Sequence, residues 1–324
     1  MSLLSTTPTP APTTGSTPAA PSALGLATAN RPQLSEALFH KFATLIYDLS
    51  GMRFEASKSY FIASKLDLRV QALGLKNFES YLAYLESPSG RAEYGFLIDE
   101  VTINETFFFR HEPQLQAFRD EILMPLVFAR RAQRQLKFRI WSAASSTGDE
   151  LYTIALMLKD MGLTGKDIQF ELIGTDICHD ALEKARAGIY RKYNIRNVPP
   201  SMLNQYFEHT TTGSTNIGSE SWTLKPEIKA MCRFQEGNLM DTIRTGALGK
   251  FDIIFCRNVL IYFDEVSKEK VVRNLAAAMI DDGFILLGHS ENIYSQRHIL
   301  KPDKTHTNAI AYSKAPPGTP KYNV

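Results

Sequence analysis

Cysteine is scarce, with only Cys178, Cys232 and Cys256 in 324 residues. They are widely spaced, odd in number and never in a C-x-x-C pair, which excludes a disulfide frame and a cysteine-based zinc site and leaves reduced thiols in a cytoplasmic protein. No run approaches the roughly 18 apolar residues of a membrane span. The Leu3-Leu4 start lacks the basic region and long apolar core of a signal peptide, so neither secretion nor membrane insertion is expected. An excess of either charge is lacking as well: 36 Lys and Arg face 34 Asp and Glu, a net charge of +2. That balance supports no polyanionic partner, and nucleic acid is not expected. What is present is the 44% hydrophobic and 22% charged composition of a globular chain, long enough for two structured units at about 100 to 200 residues each.

Charge is missing altogether from residues 1 to 30, which are mostly Thr, Ala, Pro and Ser. Such a stretch cannot bury enough apolar surface to offset its ordering entropy, and residues 1–33 are expected to form a disordered leader. The Pro-rich end, 315–324, reads as a tail. Between them two rhythms succeed each other. Leu38, Phe42, Leu45, Ile46 and Leu49, then Phe78, Tyr81, Leu82 and Leu85, recur at helical spacing, with breaks at Gly51, Gly74 and Ser87-Pro88-Ser89-Gly90. A small all-helical domain over 34–100 follows, then a linker and linking helix over 101–136.

From 137 to 314 apolar runs alternate with amphipathic helices, the signature of an α/β domain with a parallel sheet. Expected strands are 138–143, 170–175, 251–256, 284–288 and 308–312; expected helices are 150–161, 180–187 and 266–280. The stretch from about 196 to 233 fits neither rhythm, holding Pro199-Pro200, a Thr-rich loop over 210–215 and the alternating Trp222-Thr223-Leu224. It reads as a small inserted subdomain.

Four segments carry chemistry. Trp141-Ser142-Ala143-Ala144-Ser145-Ser146-Thr147-Gly148-Asp149-Glu150 is a strand that ends in small residues and opens a helix. Small side chains at a strand's carboxyl end let a ligand approach the backbone, although a structural turn reads the same. The segment has one glycine and no G-x-G-x-x-G, and acids sit where a phosphate would bind. Ile173-Gly174-Thr175-Asp176 ends a strand in an acid able to accept two ribose hydroxyls, or to cap a helix. Asn104-Glu105-Thr106-Phe107-Phe108-Phe109-Arg110 places polar groups around three aromatics; docking of the helical domain on the sheet domain would account for the Phe residues but not for Asn104 and Thr106. Phe251 to Cys256 is a buried strand followed by Arg257-Asn258 and then Tyr262, polar groups again at a strand's carboxyl end.

Together with Gly288-His289-Ser290-Glu291, these runs resemble the bacterial chemotaxis receptor glutamate methyltransferases in order and spacing, from about Ser35 to about Tyr312. Asp149 and Leu151 depart from the family's common Glu and Pro. The resemblance implies a small helical N-terminal domain joined to a Rossmann-like S-adenosylmethionine-dependent methyltransferase sheet domain with an inserted antiparallel β-subdomain. It implies cofactor contacts from Asn104, Thr106, Arg110, Glu150, Asp176, Asn238, Leu239, Arg257 and Asn258, with Asp176 on the ribose and Arg110 and Tyr262 nearest the reacting methyl. S-adenosylhomocysteine would be the product, with no metal. The acceptors would be glutamates on the cytoplasmic helical region of chemoreceptors, engaged in part by Lys58, Lys65 and Arg69 of one helix, and the protein is expected to be monomeric.

A glutamate carboxylate is ionised at neutral pH and needs no general base, so catalysis would rest on alignment. Two other readings remain in view. One is a non-catalytic S-adenosylmethionine-binding sensor or scaffold of the same fold, against which the retained Arg110, Glu150, Asp176 and Tyr262 count. The other is a nucleic-acid methyltransferase, prompted by the basic run Arg130 to Lys137, which reads more simply as the solvated end of the linking helix.

Overall fold

A computed structural model describes residues 34–134, 136–165, 167–211, 220–306 and 308–321. The leader expected over 1–33 lies outside the described residues, as does most of the Thr-rich loop.

The first elements are four helices, α1 (Glu36–Ser50), α2 (Ser59–Ala72), α3 (Phe78–Glu86) and α4 (Glu93–Val101). Local chemistry fixes the starts of α1 and α3. The Ser35 hydroxyl accepts the Leu38 N–H at the head of α1, and Asn77 and Ser80 form a reciprocal capping box on α3, which satisfies donors that a helix start leaves open. The apolar faces read from the sequence meet in one core of Phe39, Phe42, Ile46, Ile62, Leu66, Tyr81, Leu85 and Leu97. Lys65 and Arg69 turn towards α4 rather than outwards. Arg69 pairs with buried Glu93 at 2.7 Å and Lys65 lies 3.7 Å from Glu100. They do not form the free basic face expected with Lys58, which alone of the three is exposed.

A linking helix runs through α5 (Glu112–Ala117), a π-turn (Phe118–Leu123) and α6 (Met124–Ala132). At its end Arg130 is withdrawn from solvent, paired with Asp252 at 2.5 Å and lying over the Phe138 ring. The basic run is therefore only partly a solvated helix end.

The α/β region opens with β1 (Lys137–Ala143), α7 (Asp149–Asp160), β2 (Gln169–Asp176) and α8 (His179–Ala187). It continues with β3 (Ile189–Tyr190), α9 (Lys192–Ile195), α10 (Pro200–Tyr206), β4 (Phe207–Thr211), β5 (Glu220–Leu224), α11 (Pro226–Lys229), β6 (Cys232–Glu236) and α12 (Thr242–Ala247). It closes with β7 (Phe251–Cys256), α13 (Glu265–Ala278), β8 (Met279–Leu287), β9 (Leu300–Pro302) and β10 (Ala311–Lys314). Seven strands form one sheet in the order β6-β2-β1-β7-β8-β10-β9. It is parallel from β6 to β8, and β10 runs antiparallel to both its neighbours. Successive residues of a strand face opposite sides, and here they enter two different cores. Ile140, Ile253, Phe255 and Leu286 pack on one face; Trp141, Ile254, Cys256, Ile285 and Leu287 pack on the other. Burial on both faces explains the continuous apolar runs.

The remaining strands form a separate antiparallel sheet, β3-β5-β4. It begins at Ile189, earlier than the expected 196, whereas Cys232 and Arg233 belong to β6 at the edge of the large sheet. The helix expected to reach Ile280 stops at Ala278, and Met279 already pairs with Phe251 as strand. Its apolar spacing carries over into β8, so periodicity alone could not mark the boundary. The Pro-rich end is tied down as far as described: the Ala315 N–H reaches Ile299 O at 2.9 Å, and Lys321 pairs with Glu269.

Candidate active site

Beyond the carboxyl ends of β1, β2, β6 and β7 lies a pocket enclosing about 1020 Å³ of empty space, counting the part open to solvent. In an α/β sheet ligands bind outside these strand ends. All ten residues singled out in the sequence line it: Asn104, Thr106, Arg110, Glu150, Asp176, Asn238, Leu239, Arg257, Asn258 and Tyr262. Ser50 and Met52 of the helical region contribute to the same wall.

The floor is the β1 turn. Gly148 adopts φ +85° at the head of α7, and a Cβ there would stand 2.9 Å from that of Ala185, so only glycine suits the position. The turn is held by Asp176, whose two carboxylate oxygens accept the N–H of Ser146 at 2.7 Å and of Cys178 at 2.9 Å. An ionised carboxylate has about four acceptor sites, which leaves capacity for two ligand hydroxyls. Burial pushes the Asp176 pKa up, against the pull of those backbone N–H groups.

Glu150 accepts the Ser142 hydroxyl at 2.7 Å and pairs with buried Arg257 at 3.1 Å. Arg257 also donates to the carbonyl of Arg110 at 2.7 Å, so the strand end of β7 and the 104–110 segment share one guanidinium. Asn258 sits in the left-handed region at φ +61°. Its backbone is fixed by Glu291, whose carboxylate accepts the N–H groups of Asn258, Val259, Leu260 and Gly288 at 2.7 to 2.8 Å. A Cβ at Gly288 would lie 2.7 Å from Glu291 Oε2 and 3.1 Å from Asn258 N, so a larger residue there would push the bonded carboxylate aside. Glu291 lay inside a motif seen in the sequence, but nothing in the sequence assigned it this role.

On the third side Asn238 donates to Leu49 O at 2.8 Å and Asn274 holds the Leu239 carbonyl at 2.8 Å. Asn104 bonds Cys178 Sγ at 3.2 Å. Arg110 donates to the Glu105 carbonyl at 2.9 Å and lies near the Phe107 ring. The Tyr262 phenol has its pKa raised by burial, with the charge of Arg110 opposing. Of the aromatic run, Phe108 and Phe109 enter the core of the sheet region and not that of the helices. Phe108 packs edge-on against Tyr190 and Phe207. The run therefore anchors its own segment on the sheet and the β3-β5-β4 module.

Two buried polar atoms of residues that line the pocket, Ser145 Oγ and Arg257 Nε, have no partner within the protein. The spare acceptor sites of Asp176 fit a ligand's hydroxyls, and an acid-and-amide wall with a small-residue floor suits an adenosine-bearing amino acid. Among the described residues no cluster of His, Cys, Asp and Glu is arranged to hold a metal, and no helix is long and apolar enough to cross a membrane.

Residues 104–308 match the family model described as CheR methyltransferase, SAM binding domain, and residues 37–102 match CheR methyltransferase, all-alpha domain. The chemotaxis protein methyltransferase of Escherichia coli is 34% identical over 86% of this chain and 92% of its own length. That of Salmonella typhimurium is 33% identical over the same shares. Chemotaxis protein methyltransferase 2 of Vibrio cholerae is 33% identical over 82% of this chain and 88% of its own.

Proposed function

Because the chain belongs to the CheR methyltransferase family, we propose that its S-adenosylmethionine-dependent activity forms glutamate methyl esters on the cytoplasmic helices of chemoreceptors. The carrying observation is that four distant segments and the 238–239 turn bring all their family-type residues onto one pocket. S-adenosylmethionine, when bound, supplies an electrophilic methyl group.

The protein's own residues bind and align. Asp176 would take ribose hydroxyls with its spare acceptor sites, and Asn238 and Leu239 would flank the adenine. Asn104, Thr106, Glu150, Arg257 and Asn258 would hold the remainder of the cofactor. Arg110 and Tyr262 would meet the acceptor carboxylate. Arg110 offers a planar fork that matches a carboxylate, while the tyrosine hydroxyl stays protonated and able to donate. A glutamate is already ionised, so no side chain has to remove a proton, and orientation lowers the barrier. We place the enzyme in the cytoplasm as a monomer, with exposed Lys58 and the exposed Tyr60 and Leu68 of α2 as part of the receptor-facing surface.

Labelled methyl transfer from S-adenosylmethionine to a receptor fragment, released as methanol in base, tests this reading. Transfer to RNA instead, or cofactor binding without any transfer, would refute it.

A further inference from the structure

We infer that the short helix α9 of the small-sheet module is a clamp that positions the cofactor-contacting segment 104–110, with Asn194 as its pin. The inference rests on the proposed cofactor site and adds a residue set to it. Three residues of α9 and its end hold four consecutive residues of the segment, three through side chains and Phe108 through the Asn194 backbone carbonyl. The Tyr193 hydroxyl donates to Glu105 Oε1 at 2.8 Å. Asn194 donates to the Thr106 carbonyl at 3.3 Å, and its own carbonyl accepts the Phe108 N–H at 3.0 Å. Arg196 lies 3.4 Å from the centroid of the Phe107 ring and 3.8 Å from that of Tyr193.

The clamp is fastened to the sheet from below. Asn194 Nδ2 also donates to Asp149 Oδ1 at 3.0 Å, and Asp149 Oδ2 accepts the Thr147 hydroxyl at 2.6 Å. Asp149 is fully buried, precedes Glu150 in the first turn of α7 and does not line the pocket. One amide thus ties the first turn under the pocket to the backbone that carries Thr106 and Arg110. Neither end of this link is free to drift: Thr147 is held through its carbonyl by the Tyr190 hydroxyl at 2.8 Å, and Phe108 is locked in the core. The titratable groups facing the Asp149–Asn194 bond are Arg196 and Tyr190.

Two readouts test the clamp. In the free full-length protein, amide hydrogen exchange at Phe108 reports the clamp directly, and Asn194→Ala should accelerate it at least tenfold. The same variant loses two part-buried side-chain hydrogen bonds and should bind S-adenosylhomocysteine about tenfold more weakly by calorimetry. Tyr193→Phe combined with Arg196→Ala, which alters only exposed side chains, should shift both readouts the same way to a smaller extent. Asn194→Asp places a second carboxylate beside Asp149, and the repulsion between the two is relieved when one of them takes up a proton. Its affinity should therefore recover as the pH is lowered towards 6, a profile that general destabilisation would not produce. Unchanged Phe108 exchange in Asn194→Ala, or faster exchange with wild-type affinity, would overturn the clamp. Wild-type affinity in both Glu150→Gln and Asp176→Asn would instead overturn the cofactor reading, and the exchange rates would still decide the clamp.

Discussion

The carboxylate of Glu291 holds the Asn258 backbone in place, accepting its N–H at 2.7 Å together with those of Val259, Leu260 and Gly288. Four donors converge on one buried side chain, so the left-handed turn after β7 exists because an acid 33 residues later completes it. Glu291→Gln keeps the volume but turns an NH2 group towards two of those donors. Two charge-assisted bonds are lost, at about 1.5 to 3 kcal/mol each. The expected outcome is a fall in melting temperature of roughly 6 to 12 °C, with weaker S-adenosylhomocysteine binding. A variant that melts like wild type would show that the turn is held by the strand end alone.

Glu150 and Asp176 are expected to bind the cofactor, but each also supports structure, and this decides how they should be tested. Truncating Glu150 strands the Arg257 guanidinium, which is buried and paired with it, and an uncompensated buried charge costs about 3 to 5 kcal/mol. Glu150→Gln and Asp176→Asn keep the side-chain volume and a hydrogen-bond acceptor, and because Gln still removes the countercharge of Arg257, affinity is to be read alongside a melting curve. Each should weaken S-adenosylmethionine binding about ten- to a hundredfold in calorimetry, through loss of a charge-assisted hydrogen bond. Unchanged affinity in both would remove them from the cofactor site.

Much of the site was legible because its polar residues fall at the ends of apolar runs. Asp176 ends β2 and Arg257 follows β7, and a period-two or continuous apolar pattern fixes where a parallel strand stops. The links between segments were not legible. Nothing in the spacing of Asn194 and Asp149 places one amide across from one acid, since that contact depends on how the β3-β5-β4 module packs. The same holds for Arg69, which looked like an outward cation on α2 until α4 supplied buried Glu93. β6 was missed because Cys232–Glu236 is a short edge strand with only Phe234 buried, a pattern that a loop shares.

Asp149 makes stability depend on pH in a direction opposite to that of a salt-bridged acid. Burial raises its pKa from 3.8 to about 6, against the hydrogen bonds from Thr147 and Asn194. The folded state therefore binds the proton more tightly than the unfolded chain does. The stabilisation this gives is complete below pH about 4 and is lost as pH rises through about 6, a change of about 3 kcal/mol at 1.36 kcal/mol per unit. Urea unfolding of wild type and Asp149→Asn across pH 4 to 7 should show their stability difference moving by that order in favour of the variant as pH rises. A difference that stays flat would mean that Asp149 titrates alike in both states.

Arg110 and Tyr262 line the same pocket, where the arginine's charge opposes the rise that burial gives the phenol's pKa, and they are the two residues expected at the reacting methyl. Arg110 is oriented from both ends: its guanidinium donates to Glu105 O, and its carbonyl accepts from Arg257. Arg110→Lys retains the charge but not the planar fork, so it should fail to orient a carboxylate on two points. Tyr262→Phe removes only a hydroxyl and leaves the ring's packing against the helical core. A small misalignment of reacting atoms can cost about a hundredfold in rate. In single-turnover methylation of a receptor fragment at saturating cofactor, both variants should therefore slow by about ten- to a hundredfold. Calorimetric affinity for S-adenosylhomocysteine should change much less, because a contact made mainly in the transition state is read in the rate. If Arg110→Lys instead loses affinity and keeps its saturated rate, Arg110 holds the cofactor carboxylate and not the acceptor. Wild-type rates in both variants would leave these residues as parts of the wall.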